Sequence, residues 1–468
     1  MKRIELCAWS CVGLLVPTLA AAQPPAGPQV FTLDQAIQYA VDHYPTVRAA
    51  LEQIDASAAS VTVAQSAYLP RLDSLWQSNL GTANNIFGQV LPQSVIPAMS
   101  GPVLPSASSG SVWGSAVGAL FSWEPVDFGL RRANVSAAEV AVARARAGEA
   151  LTRLDIQAAV ADIFLGIAGA QRTVAALQAD LDRRDLLSRA VHTLVDNQLR
   201  PGAEASRSDA ERAAAQTRLI QAQKAVTLGQ IALARALGVT TGAVTIDAAS
   251  LIDHVPTAVM PAGPVPHPLT LVRQADVDAA RTQENVLART DLPRFYLQSS
   301  LFARGSGANP NGELDGSVAG LGLERTNWAA GVQIVFPNVF DFTSLRARKA
   351  AAAATTRSQT ALFDEALLTV TSQQRTATAM LDAARAIAAN TPLQLAAATQ
   401  TEAQARARYQ AGLASIVEVA DAQSLLAQAE VQDQLARIDV WHALLAQSVS
   451  QGTLAPFLSL LPPASGVH

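Results

Sequence analysis

The chain has 468 residues with 34 basic and 38 acidic side chains and a formal net charge of -4. A pI near 5.9 carries no basic excess of the kind a phosphate backbone demands, so no nucleic acid partner is expected. Half of the residues are hydrophobic but only 5% are aromatic, and 93 are alanine; alanine is the best helix former and adds little bulk to a core, so the composition points to long thin helices and away from a large enzyme with a thick core.

The first 22 residues (1–22) read as a secretory signal peptide. Lys2 and Arg3 form the charged start, an apolar stretch runs from Leu6 to Ala20, and Ala20-Ala21-Ala22 supplies the cleavage signal. That stretch is shorter than the roughly 20 residues a spanning helix needs. Both cysteines, Cys7 and Cys11, lie inside it and neither stands at the expected cleavage point. The mature chain from Gln23 is therefore expected to have neither a disulfide nor a lipid anchor. No other stretch reaches about 18 consecutive apolar residues, so an α-helical membrane span is not expected.

The rest of the chain is duplicated. Tyr44-Pro45 is followed 25 residues later by Pro70 in Tyr68-Leu69-Pro70-Arg71, and His267-Pro268 is followed 25 residues later by Pro293 in Asp291-Leu292-Pro293-Arg294. Trp113 then matches Trp328, and Asp127-Phe128 matches Asp341-Phe342; Asp127 and Gly238, like Asp341 and Gly452, stand 111 positions apart. Two structural repeats follow from this, 23–238 and 268–452, each with a strand pair (about 70–124 and about 293–337) and a helical hairpin (127–238 and 341–452). A proline-rich, non-helical linker at 239–267 joins them, and a tail at 453–468 lacks periodicity and is expected to be loose.

Ser74 to Trp123 runs 50 residues without an Asp, Glu, Lys, Arg or His, which solubility in water does not require. Toward its end it alternates with period two. Trp113, Val117, Ala119, Phe121 and Trp123 fall on one face of a strand, with Gly114, Ala116 and Gly118 on the other. The second repeat does the same with Trp328, Ala330, Val332, Ile334 and Phe336 against Ala329, Gly331 and Gln333. Trp113 and Trp123 are ten residues apart, roughly 33 Å along a strand. With a tilt of about 40° that shrinks to the ~25 Å apolar band of an outer-membrane barrel, and Trp113, Trp123, Trp328 and Phe336 are the candidates for its aromatic girdles. One face of a sandwich core is the ordinary alternative. Four strands per chain are expected, near Leu72–Leu80, Val112–Trp123, Phe295–Ala303 and Asn327–Phe336, the first of each pair alternating poorly. Four cannot close a barrel, and an open edge in lipid leaves backbone groups unsatisfied, so the strands must close with those of other copies.

The second texture is helical. No proline occurs from about Asp127 to Leu199 or from Asp341 to Thr391, after which Pro392 is expected to kink a helix that resumes to Gln410. In the first helix Leu151, Leu154, Ala158, Ala161, Leu165 and Ala168 follow the alternating three and four spacing of a coiled-coil seam. Return helices of about 36 residues, from about Ala203 and Ala414, cannot flank a partner of about 72, but with the helix from about Thr46 to Ala67 two short helices can stack end to end against one long one.

The chain resembles the TolC-like outer-membrane efflux proteins over roughly residues 31–452. The resemblance rests on Leu33-Asp34-Gln35-Ala36 through Tyr44-Pro45, the Leu-Pro-Arg before each strand pair, Trp-Glu-Pro-Val-Asp-Phe-Gly at 123–129, and Tyr409-Gln410-Ala411-Gly412 followed by Ser415, Val419, Ala420 and Gln423. It implies a mainly α fold with a membrane β-barrel. In that fold a homotrimer closes a twelve-stranded outer-membrane barrel, and its long coiled-coil helices continue into a periplasmic α-barrel in a Gram-negative bacterium. It implies a passive exit duct reached through a periplasmic adaptor and supplied by an inner-membrane transporter, with small-molecule or metal efflux preferred over protein secretion. The adaptor-docking candidates are then the two helical turns, Arg200-Pro201-Gly202 and Gly412-Leu413-Ala414-Ser415. Their offset is 210 instead of 214, so one turn falls about one helical turn early or the two are misaligned there. Asp421, with Glu418 one turn away, is the candidate for an acidic tunnel aperture; the basic residue that ties such a ring shut in relatives is here Ser424. Plain hairpin turns and a solvated helix face remain the ordinary alternatives.

Catalytic constellations are absent. The six histidines show no metal-ligand spacing, and Gly320-Leu321-Gly322 lacks the following helix a nucleotide site needs. Neither an enzyme nor a cofactor is expected. A coiled-coil adhesin and a periplasmic structural rod are the competing classes; the duplicated strand pair opposes the first and the charge-free stretches oppose the second.

Overall fold

A computed structural model describes residues 29–82, 94–96, 109–239, 244–248, 251, 256, 266–309, 311, 313–315, 318–337 and 342–461. The expected signal peptide, most of the linker, Asp341 and residues 462–468 of the tail lie outside the described residues.

The chain opens with β1 (Gln29–Phe31), then α1 (Leu33–His43) and α2 (Pro45–Ser66). Thr32 starts α1 with a capping box closed by Gln35, and Pro45, which has no amide hydrogen to lose, starts α2. The first strand pair, β2 (Arg71–Thr82) and β3 (Ser111–Val126), leads into the long α3 (Leu130–Asp196) and its return helix α4 (Gly202–Leu237). After β4 (Val244–Ile246) the order recurs as α5 (Pro268–Arg289), β5 (Arg294–Ser306), β6 (Arg325–Val335), α6 (Phe342–Gln410) and α7 (Ile416–Ser450), with a short terminal helix α8 (Ala455–Leu458). α3 has 67 residues and α6 has 69, each about 100 Å long at 1.5 Å per residue. α6 continues through Pro392 as one helix.

Short helices stack against long ones as expected. α2 and α4 both pack on α3, and α5 and α7 both pack on α6. The joints are alike in both repeats. Gly238, in the left-handed conformation (φ 74°), ends α4 against the carbonyl of His43 and the ring of Pro45; Gly452 (φ 84°) ends α7 against His267 and Pro268. A Cβ at Gly452 would lie 2.7 Å from Pro268 Cδ, so this joint needs glycine for space as well as for its dihedral.

The main apolar core lies about halfway along the helices, where Phe164, Leu165, Leu233, Leu237, Trp441 and Leu444 are fully or almost fully buried. The expected seam supplies Leu154, Ala161, Leu165 and Ala168 to it. By length and composition α3 holds a stretch apolar enough to cross a membrane, but its buried residues from Leu154 to Gly169 are covered by the elements around this core. β1 and β4 pair in parallel, Phe31 opposite Ile246, so the linker contributes a strand to the core.

The tail departs from expectation. Leu454 and Phe457 are buried, Phe457 meets Trp441 edge-to-face at 5.9 Å, and Trp441 Nε1 donates to the Leu251 carbonyl at 2.8 Å. Residues 453–461 are not loose: two apolar side chains anchor a segment too short to show a period.

Candidate functional site: the strand sheet and the helical tip

Four strands form one antiparallel sheet in the order β2-β3-β5-β6, with β2 and β6 as open edges. Register puts Trp76 opposite Val117, Val117 opposite Ala303, and Leu301 opposite Trp328. One face therefore carries the large apolar side chains, with Leu72, Trp76, Leu80, Leu301, Trp328 and Val332 exposed on it and small hydroxyl residues such as Ser74, Ser78 and Ser299 between them. The other face carries Asp73, Gln77, Gln298, Ser300, Asn327 and Gln333. An exposed apolar face backed by a polar one is the pattern of a sheet between lipid and a water-filled lumen. β2, in which sequence alternation is poor, alternates cleanly in exposure, and Trp76 stands exposed on the apolar face opposite Val117, near the middle of the sheet. Trp113 and Trp123 lie toward opposite ends of β3, and Phe336 follows the end of β6. Trp328 shares a row with Leu301 and Ala119, nearer the middle.

The passage from strand to helix is fixed by Asp127. Its carboxylate accepts hydrogen bonds from the Gly129 and Arg131 amides and from Arg131 Nε. Burial opposes its ionisation, but these bonds outweigh it and hold the carboxyl below the usual carboxylate range. Arg131 also donates to the Ala67 carbonyl and lies 4.7 Å over the Tyr68 ring, tying the elbow to the end of α2.

At the far end of the helices lie the two turns, residues 197–201 and 411–415. Both α3 and α6 end, and both α4 and α7 begin, 214 residues apart. The turns are therefore in register, and the expected offset of 210 came from matching the wrong glycines. Gly412 (φ 74°) corresponds to Gln198 (φ 58°), and Gly202 is the first residue of α4. The structure brings the turns together. Arg200 lies 4.8 Å over the Tyr409 ring, donates to the Tyr409 carbonyl at 3.4 Å and pairs with Glu204 at 3.7 Å. Tyr409 donates to Glu204 Oε2 at 2.9 Å. Burial and that bond push its phenol up to about 12. A cleft of about 820 Å³ opens beside them, lined in part by Leu186, Leu194, Arg200, Tyr409 and Gly412. Leu413 is exposed, whereas Ala414 and Ile416 are buried in a small core with Val191, Ala205 and Val419.

Ser415 and Glu418 form a capping box at the start of α7, and Glu418 also pairs with Arg408 at 3.5 Å. Asp421 is exposed one turn further on, with no hydrogen bond or ion pair among the described residues. Beneath it lies a network that sequence reasoning missed. Arg184, 2% exposed in its side chain, donates to the wholly buried Asp180 and to Glu211 on α4, and its Nη2 donates to Ser424 Oγ at 2.9 Å. Arg183 forks onto Glu430 at 3.0 and 2.7 Å. The only sequence signal for this network is the spacing of four between Asp180 and Arg184, which many solvated helix pairs share.

The outer membrane efflux protein family matches residues 36–239 and 268–446, one stretch in each repeat. The chain belongs to this family. Solved structures similar to it are those of the outer membrane protein VceC from Vibrio cholerae, the CmeC outer membrane channel of Campylobacter jejuni, and the MtrE outer membrane channel of Neisseria gonorrhoeae in its open state. VceC is 19% identical with a TM-score of 0.72, covering 90% of this chain and 96% of that one. CmeC is 15% identical with a TM-score of 0.73, covering 90% and 85%. MtrE is 17% identical with a TM-score of 0.66, covering 90% and 89%. No curated protein sequence matches significantly. Membership makes this chain an outer membrane efflux protein with the fold of the solved outer membrane channels, and the adhesin and rod alternatives fall away.

Proposed function

We propose that three copies of this efflux protein close their four-stranded sheets into one twelve-stranded barrel and act as a passive exit duct. The open sheet with its apolar and polar faces supports this reading most. Edges β2 and β6 leave backbone groups that lipid cannot satisfy, and joining β6 of one copy to β2 of the next satisfies them all. In this reading an inner-membrane transporter delivers small molecules or metal ions through a periplasmic adaptor. The adaptor docks on the turns holding Arg200, Pro201, Gly202, Gly412, Leu413, Ala414 and Ser415.

Asp421 is the acid of the aperture. Three free carboxylates around a narrow ring attract cations and repel anions, while Glu418 is occupied by its cap and Arg408. The test is single-channel conductance of the detergent-purified protein in a planar bilayer, with its mass from light scattering. Stable pores from a trimer are expected, and Asp421→Ala is expected to lower their cation preference. A water-soluble species that forms no pore would overturn the duct, and a trimeric pore whose selectivity ignores Asp421→Ala would overturn the aperture alone.

A further inference from the structure

We propose that Val95 and Ile96, from the connection between β2 and β3, sit inside the barrel lumen and narrow the barrel section of the duct. This rests on the duct reading above. The face of the sheet opposite the exposed tryptophans carries the amide and charged side chains, and an apolar cluster lies on it where Leu75, Ala116, Gly118, Leu120 and Phe302 adjoin across β2, β3 and β5. Val95 and Ile96 cover that place. Ile96 is 3% exposed, and Ala116 and Phe302 beneath it are 0% and 3% exposed.

The seat is cut to fit. A Cβ on Gly118 would lie 3.0 Å from Ile96 Cγ1 and 3.0 Å from Phe302 Cβ, so any larger residue at 118 must push one of them away. The depth matters as much as the fit. Gly118 is seven residues from the Ser111 end of β3 and eight from the Val126 end. The covering residues therefore reach about 23 Å along the strand from the end remote from the helices, at ~3.3 Å per residue. Material packed on the lumen wall at mid-barrel takes cross-section from the pore, and threefold symmetry repeats it three times at one level. Because the packing of Ile96 on Ala116 and Phe302 is apolar, that packing persists at high salt, unlike a charged ring.

The experiment uses the full-length trimer and two variants. Ile96→Asp places a charge on the apolar seat without touching the sheet, and the double variant Ile96→Cys/Gly118→Cys can tie the segment to the wall. Expected are a conductance above wild type for Ile96→Asp, an Ile96→Cys/Gly118→Cys disulfide on mild oxidation, detected by mass after proteolysis, and passage of larger uncharged solutes through the Ile96→Asp pore. An Ile96→Asp pore with wild-type conductance and solute cut-off overturns the proposal, as does a double variant that forms no intrachain disulfide. The disulfide is read in detergent without any pore, so it still decides where the segment lies if the wild type fails to conduct and the duct reading itself falls.

Discussion

Arg200 lies 4.8 Å over the ring of Tyr409, so the turn of the first repeat is stacked on the last turn of the long helix of the second. Glu204 completes the clasp by pairing with Arg200 and accepting the Tyr409 hydroxyl. The two turns are therefore held together by one set of side chains.

Tyr409→Phe keeps the ring under Arg200 and removes only the bond to Glu204. A hydrogen bond to a charged group contributes about 1.5–3 kcal/mol, and partial exposure puts this one toward the lower end. Faster amide hydrogen exchange is expected in residues 197–201 and 410–415, with the strands and the main core unchanged. Equal exchange in wild type and variant would show that the clasp contributes nothing to the tip.

Arg184→Met should be far more damaging. It fills a similar volume but leaves the wholly buried carboxylate of Asp180 with Arg218, 3.6 Å away, as its one remaining cation among the described residues. Breaking a buried pair by removing one partner costs about 3–5 kcal/mol. Denaturant unfolding followed by helical circular dichroism is expected to shift to lower midpoint, and Arg184→Lys, which keeps the charge but lacks the fork, to fall between.

His267 gives the chain a pH dependence. Its Nδ1 accepts the Leu269 amide to cap α5 and its Nε2 donates to the Val449 carbonyl, so the ring is neutral in the folded state. Burial pushes its pKa below the ordinary 6.5, against the bond to Val449 and the charge of Asp155, which pull it up. The unfolded chain then binds this proton more readily, so stability is full above about pH 6.5 and is lost as pH falls toward the depressed value. Asp155, whose carboxyl burial raises above 3.8, acts in the opposite sense and reduces the slope. In thermal unfolding from pH 7.5 to 5.5, His267→Asn, which can still cap but does not titrate there, is expected to lose less stability than wild type on acidification.

Phe457→Ala tests the anchored tail. Removing a fully buried phenylalanine from beneath Trp441 is expected to cost about 3–5 kcal/mol, and near-ultraviolet circular dichroism from Trp441 should weaken with it. A variant with wild-type unfolding would mean that the tail is dispensable to the core.

Much of this architecture is legible in the sequence because it rests on periodicity. The alternation from Trp113 to Trp123, the charge-free run around it, the proline-free lengths of α3 and α6 and the doubled Pro45/Pro268 joints are local or repeated patterns, and the backbone imposes periods of two and 3.6 wherever a face is buried. The turns needed more. Gln198 in a left-handed conformation leaves no mark that a glycine search would find, so only the helix ends put the two turns in register.

By itself, then, the sequence determined the two repeats, the membrane-facing strands and the long helices, since each follows from spacing along one chain. Tertiary structure alone decided that Arg184 reaches Ser424, that Arg200 finds Tyr409, that Phe457 anchors beneath Trp441 and that Ile96 settles over Gly118. Each of these contacts joins residues remote in sequence or on separate elements, and what selects it is the space and polarity left when helices and strands pack, which no single segment records.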